Sequence, residues 1–396
     1  MSERPVHAVV LPPGPALFEM VREALEGGGP ALLPLAPDLP APALRAMIRT
    51  LRPTHVVTPE GVRPSPGGVP ASGDTAVIIA TSGSTGAPKG VQLPAAALAA
   101  SAAASLDRLA AAPGERWLCC LPPSHVSGLQ VLVRSLLSGS EPLIHRRFSP
   151  GAVAGSGADH VSLVPTQLRR MIDSGVELSR FRTILLGGAA APAGLLAAAR
   201  DAGARVVTTY GMSETCGGCV YDGVPLDGVE AKVGADGRIR LAGPVLFSGY
   251  RLSPDLTAAA LDGGWYLTSD VGVIEEGRVR VLGRADDVIN TGGQKVVAGV
   301  VAGILAQHPA VREAVVVGRP DPEWGEEVVA VVVAADPASP PDLGELRALV
   351  KARLPVYAAP RSLALRERFP VLPNGKHDLV AIRRDISGFV GKGDGS

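Results

Sequence analysis

The chain has 396 residues, with 38 Lys+Arg against 38 Asp+Glu and 46% hydrophobic residues. That length exceeds one ordinary core of about 100–200 residues, so two or more domains are expected, and the apolar content excludes wholesale disorder. Zero net charge argues against a nucleic-acid partner, a polyanionic tail or a basic helix on a membrane surface, and 4% aromatic residues make a poor stacking platform for single strands.

The cations are unevenly chosen: only Lys89, Lys232, Lys295, Lys351, Lys376 and Lys392 are lysines. Because Arg and Lys are not interchangeable at a site, each lysine deserves inspection. The opening MSERPVHAVVLPPGPALFEM lacks a secretory pattern, its apolar stretch being short and broken by Pro12, Pro13 and Pro15. No apolar run reaches about 18 residues, so no membrane insertion is expected and a cytoplasmic protein is the default. A homo-oligomer stays open.

Residues 1–60 read as a shortened α/β piece: helix LFEMVREALEGG, buried strand ALLPLAP, helix ALRAMIRTL and strand THVVT. The Pro/Gly/Ser-rich stretch 60–74 reads as a loop or linker. From Ala76 a strand, a Gly-rich loop and a short strand lead into the Ala-rich helix AAALAASAAASLDRLA. Strands and helices then alternate through RVVTTYG, which predicts an α/β fold with largely parallel, covered sheets. After Tyr221, short alternating strands with D-G and E-G turns predict a small β-barrel or antiparallel meander. The final α+β block completes a division into 1–284 and 285–396, a large N-terminal and a small C-terminal domain, which the family resemblance described below implies to be mobile. Cys119 and Cys120 are adjacent, and Cys216 and Cys219 form C-x-x-C; they read as reduced thiols or, with poor spacing, as a zinc site.

The strand AVIIA (76–80) runs into Thr81-Ser82-Gly83-Ser84-Thr85-Gly86-Ala87-Pro88-Lys89-Gly90. Glycines let backbone approach a phosphate, hydroxyls and N–H groups donate to it, and lysine adds a point charge. It is not a Walker loop: Lys89 does not follow Gly86 directly, Gly90 stands where a hydroxyl would bind Mg²⁺, and Pro88 stops a helix.

TSGSTGAPKG resembles the signature loop of the adenylate-forming superfamily of acyl-CoA synthetases, luciferases and adenylation domains. Four further stretches match its motifs in order: Tyr210-Gly211-Met212-Ser213-Glu214-Thr215, Trp265 to Asp270, Gly283 to Asp287, and Pro373-Asn374-Gly375-Lys376. The likeness spans roughly residues 75–380 and implies the adenylate-forming fold, with ATP, Mg²⁺ and coenzyme A as the groups handled. It implies that Thr81, Ser82, Gly83, Ser84, Thr85, Gly86 and Lys89 hold the β- and γ-phosphates, and that Glu214 helps hold the metal. Ser213 would meet the α-phosphate, Tyr210 the adenine, and Gly188, Ala189, Gly211 and Met212 would line the nucleotide. Asp270 and Arg284 would hold the ribose. Lys376 would bridge carboxylate and ATP during adenylation, so that Lys376, Glu214 and Lys89 form the catalytic set. Asp286 matches the hinge, and Gly292 and Gly293 match the loop lining the pantetheine tunnel. Lys295 reads either as a CoA contact or as a solvated lysine. Gln294 and Val300 depart from glutamates common in the family.

The acyl group should meet Leu121 to Leu129 and Leu186-Gly187-Gly188-Ala189, where no aspartate is available for a substrate ammonium. Arg134 lies seven residues after Ser127, about two helical turns, and reads as a snorkelling side chain or as an anion site. PPSHVSGLQVLVRSLLSG, YGMSETCGG and the short N-terminus resemble the actinobacterial o-succinylbenzoate–CoA ligase family of menaquinone biosynthesis. That resemblance implies that Ser127 and Arg134 bind a second carboxylate, with His125, Gly187 and Gly188 near the acyl group; a structural histidine is the alternative for His125. Function then reads as an acid–CoA ligase acting through an acyl-adenylate. The alternatives are a ligase for another acid, a carrier-loading ligase, or a non-catalytic adenylate-binding protein.

Overall fold

The computed structural model describes residues 3–82, 88–371 and 377–387. The chain divides into two compact units, residues 1–189, 199–231 and 240–267 in the first, and 190–198, 232–239 and 268–396 in the second.

The first unit holds two seven-stranded sheets. One runs in the order Gly249–Tyr250, Pro88–Pro94, Thr75–Ser82, Ala31–Pro34, Val6–Val9, His55–Thr58, Gly61–Pro64, parallel at its centre and antiparallel at both margins. The other runs Leu143–Ile144, Trp117–Cys119, His160–Leu163, Thr183–Leu186, Val206–Met212, Gly217–Tyr221, Val224–Pro225, parallel until Val206–Met212 turns back. The runs ALLP and TILL are buried at every position, as expected of parallel strands covered on both faces. Pro15–Glu26 starts with proline at its first position and stops at Gly27, whose φ of 83° a side chain would resist.

Residues 60–74 are not the loop or linker that their composition suggested. Gly61–Pro64 returns antiparallel along His55–Thr58 as an edge strand, and Ala71–Ser72 pairs with Glu3–Arg4. Proline and glycine are tolerated there because an edge strand's outer backbone groups can face water.

Helix Val126–Leu137 is buried along Gly128 to Ser135, without a polar face, because it packs against both helix Ala95–Leu109 and strand Trp117–Cys119. Its start is set by Gly128, where a Cβ would lie 2.4 Å from the Pro122 carbonyl oxygen.

After Tyr221 the strands form an open meander, Glu230–Val233, Arg238–Ala242, Trp265–Glu275. Leu261–Asp262 pairs with the first residues of the long strand and Arg278–Arg284 with its later ones. In the second unit, Gly325–Ala334 lies antiparallel to Val311–Asp321 and parallel to Ser362–Arg366. Val328, Ala330 and Val332 enter one core and Val329, Val331 and Val333 another, so this strand reads as one continuous apolar run. Val300, one of the departures from the family pattern, packs against the first of these cores. Helix Leu343–Lys351 starts with a reciprocal cap between Asp342 and Glu345. A terminal helix, Leu379–Ser387, was not expected from the sequence.

Candidate active site

Thr75–Ser82 and Pro88–Pro94 form an antiparallel hairpin with Thr81 opposite Lys89, so the Gly-rich segment joins two strands and no helix follows it directly. Gly83, Ser84, Thr85 and Gly86 lie outside the described residues, as does the side chain of Ser82. Gly90 is a packing glycine: a Cβ there would meet Leu51 at 2.9 Å and Ile78 at 3.1 Å. Lys89 emerges beside it, its Nζ 5.3 Å from the centre of the Tyr250 ring.

The YGMSET segment is shaped by close approach. A Cβ on Gly211 would fall 2.0 Å from the Gly217 carbonyl oxygen, and the register shifts between Tyr210 and Gly211. Ser213–Thr215 then form a 3-10 turn, in which Thr215 Oγ1 accepts from the Met212 N–H and donates to the Gly217 carbonyl. The turn lifts Glu214, whose backbone carbonyl accepts from Phe247 N–H and whose Oε1 accepts from the Tyr250 hydroxyl at 2.8 Å. Among the described residues no cluster of three His, Cys, Asp or Glu could cage a metal. A single carboxylate suits Mg²⁺ all the same, since this ion keeps several waters and is usually held by one or two carboxylates together with substrate phosphates.

His125 stands at the cap of helix Val126–Leu137, and Ser127 is exposed in its first turn. Arg134 lies in the last turn, about 10 Å further along the axis. Its guanidinium is buried at 5% exposure, sits 4.6 Å from the centre of the Trp117 ring, and donates from Nη2 to Ser162 Oγ at 3.1 Å. Nε has no partner, and burial pulls the group below its ordinary pKa. This geometry removes the snorkelling alternative, because the head is not in water. On the Trp117 ring also stacks His160, 4.4 Å away, bonded to Glu115 at 2.8 Å. Trp117 and Tyr250 were both missed as site residues by the sequence reading. The available signals were their scarcity, three tryptophans and five tyrosines in 396 residues, and their places at strand ends beside motif residues.

Gly187 and Gly188 follow strand Thr183–Leu186; a Cβ on Gly187 would meet Thr209 Oγ1 at 2.4 Å, and Gly188 has φ of 84°. Ala189 follows them and is exposed. The four cysteines are buried and unpaired, and burial pushes the Cys119, Cys120 and Cys219 thiols up to about 12.

Within the second unit, Asp270 and Arg284 face each other across an antiparallel pair, with Oδ1 and Nη1 3.7 Å apart. The Asp270 N–H donates to Thr268 Oγ1 at 3.1 Å. Gly292 and Gly293, with φ of 57° and 75°, make the two-residue turn between Thr291 and Gln294. Gly292 carries the tighter constraint, because a Cβ there would lie 2.8 Å from the Trp324 ring. Lys295 is exposed on the following strand. Asp286 lies in the 3-10 turn Ala285–Asp287, its side chain outside the described atoms. Lys376 lies outside the described residues.

The strand hairpin on either side of the Gly-rich segment, the glutamate on a 3-10 turn and the α/β sheets accord with an adenylate-forming enzyme, and the chain belongs to the AMP-binding enzyme family. Residues 61–250 match the model of the AMP-binding enzyme, and residues 300–376 that of the AMP-binding enzyme C-terminal domain. A Mycobacterium tuberculosis protein named "Probable 2-succinylbenzoate--CoA ligase" is 46% identical over 332 residues, covering 80% of this chain and 85% of its own. The 2-succinylbenzoate–CoA ligase of Bacillus subtilis is 35% identical, covering 75% of this chain and 66% of its own. Among solved structures, o-succinylbenzoate CoA synthetase from Bacillus subtilis in complex with the acyl-adenylate intermediate OSB-AMP matches with a TM-score of 0.82 at 27% identity. That match covers 98% of this chain and 89% of the other. ATP-bound MatB from Rhodopseudomonas palustris shares the fold, with a TM-score of 0.86 at 23% identity over 98% of this chain and 90% of its own.

Proposed function

We propose that this protein is the ATP-dependent 2-succinylbenzoate–CoA ligase of menaquinone biosynthesis. The acid's carboxylate oxygen attacks the α-phosphorus of ATP and pyrophosphate leaves. The thiol of CoA then attacks the acyl carbon, AMP leaves, and 2-succinylbenzoyl-CoA is formed. Relatives carrying that activity in their names support the reaction, and one observation carries the choice of acid. Arg134 is a buried guanidinium with no carboxylate partner among the described residues and an empty Nε donor. An unpaired buried charge is costly, and a second substrate carboxylate would balance it.

Both substrates of the first step are anions, so the site must neutralise charge and fix position. We assign Lys89, Thr81 and the hydroxyls of the Gly-rich loop to the β- and γ-phosphates. Glu214 would hold Mg²⁺, which supplies charge neutralisation at the phosphates when bound. Ser213 is assigned to the α-phosphate, Tyr210 to adenine, Asp270 and Arg284 to ribose, and Ser127 with Arg134 to the distal carboxylate. Lys376 is assigned to the reacting carboxylate, Gly292, Gly293 and Lys295 to CoA, and Asp286 to the hinge. No helix among the described residues is long and apolar enough to cross a membrane, and the supply of ATP and CoA places the reading in the cytoplasm.

An acid panel followed by pyrophosphate release and CoA consumption tests this. Turnover of 2-succinylbenzoate is expected; turnover of a monocarboxylic acid alone would remove the substrate and leave the ligase. Lys376→Ala should abolish ATP–pyrophosphate exchange while sparing thioester formation from supplied acyl-adenylate, and near-normal exchange would sink its assignment.

A further inference from the structure

Tyr250 has no role in the assignments above. It ends the short strand Gly249–Tyr250, opposite Val91 and two residues along the partner strand from Lys89. Its side chain touches two charged residues assigned to the polyphosphate and metal: Lys89 Nζ lies 5.3 Å from the ring centre, and the hydroxyl donates to Glu214 Oε1 at 2.8 Å. The tyrosine cannot drift. It is 8% exposed, its N–H donates to Thr257 Oγ1 at 2.8 Å, and Phe247 meets it edge-on at 4.9 Å. The next residue, Arg251, is tied to the Leu51, Arg52, Val69 and Pro70 carbonyls.

Lys89 and Glu214 carry opposite charges and share this neighbour, yet they form no ion pair with each other among the described residues. That separation matters to the proposed chemistry. A lysine already neutralised by a carboxylate is a weak partner for polyphosphate, and a carboxylate bound by lysine is a weak ligand for Mg²⁺. A phenol solves both problems at once, since its ring face attracts the ammonium while its O–H engages one carboxylate oxygen and leaves the other available.

We propose that Tyr250 is a positioning residue for Mg²⁺·ATP, aiming Glu214 at the metal and holding Lys89 and Glu214 apart until substrate arrives. The proposal rests on the ligase reading and on the assignment of Glu214 to Mg²⁺. The test is calorimetric titration of ATP binding to the full chain across Mg²⁺ concentrations and in EDTA, with melting curves as a folding control. Tyr250→Phe keeps the ring and loses the donor. It should raise the Mg²⁺ needed for half-saturation about ten-fold, leaving ATP affinity in EDTA and KM for 2-succinylbenzoate unchanged. Tyr250→Leu should weaken ATP binding in EDTA as well, because Lys89 becomes free to pair with Glu214. A wild-type Mg²⁺ response in Tyr250→Phe, or an equal loss with and without Mg²⁺, overturns the proposal. Glu214→Gln separates the layers. If it leaves the Mg²⁺ response intact, the metal assignment and the proposal fall together; if it shifts that response and Tyr250→Phe does not, only the role of Tyr250 falls.

Discussion

Arg134 and Arg251 are both buried in the first unit without a carboxylate, and they differ in what their donors find. Arg251 meets backbone: Nε donates to the Leu51 carbonyl at 2.5 Å, Nη1 to that of Pro70 at 3.5 Å, and Nη2 to those of Arg52 and Val69. Arg4 is spent in the same way on the Gly29, Thr75 and Ala24 carbonyls. Arg134 meets one serine hydroxyl and an aromatic face, with Nε unanswered. A buried arginine satisfied by carbonyls ties loops together, whereas an empty donor such as Arg134 Nε suits the proposed second carboxylate of the substrate. Burial depresses both guanidinium groups, Arg251 to about 10, so desolvation alone cannot tell the two roles apart; the donor count can.

The sharpest way to break this contrast is to remove each head while keeping bulk. Arg251→Met strands carbonyls from two chain segments, 51–52 and 69–70, and should cost about 3 kcal/mol of stability in urea unfolding. A loss under about 1 kcal/mol would mean that water replaces the guanidinium at little cost, and the structural reading would fail. Arg134→Met should leave stability unchanged or improved, because it removes an unpaired buried charge. Its effect should appear in kinetics, as a rise of about 30-fold in KM for 2-succinylbenzoate and little change for a monocarboxylic acid. Equal losses of stability in the two variants would erase the distinction. Trp117→Leu refines the second half: losing the aromatic face should raise KM for the dicarboxylate about ten-fold, less than losing the charge itself.

Much of this was legible in the sequence. The alternation of strands and helices, the Gly-rich segment between two strands and the YGMSET segment all declare themselves, because periodicity and glycine spacing are local properties. Arg134 was visible as an arginine in an apolar helix, but its burial was not, since an edge position and a core position share that pattern until the neighbouring strand is placed. Tyr250 was hidden for the same reason. Its partners, Lys89 and Glu214, lie 161 and 36 residues away, and only pairing with the Pro88–Pro94 strand brings the three together. The edge strand within 60–74 was misread because proline and glycine mark loops on average, while an edge strand accepts them.

The smallest expected effect concerns what lies behind Trp117. His160 is 1% exposed, its Nε2 bonds to Glu115, and Glu115 also pairs with Arg182 at 2.7 Å. Nδ1 has no partner, which fits a neutral ring with the proton on Nε2 and a bare lone pair on Nδ1. Burial holds the histidine below its ordinary value against the opposing pull of Glu115 and Asp159. Protonation would add an unpaired N–H and a second cation against the ring that already carries Arg134. Because the folded state resists that proton and the unfolded chain accepts it near pH 6.5, stability is complete above that pH and falls as pH drops below it. The slope for one such group is at most about 1.4 kcal/mol per pH unit. His7, also depressed by burial and by His55, adds a slope of the same sign, so the measurement has to be a difference. Urea midpoints of the parent and His160→Gln between pH 5 and pH 7 should converge as pH falls, because only the parent must charge a ring at this position. Parallel profiles would show that His160 takes its proton at no cost, and that the ring behind Arg134 has room for two cations.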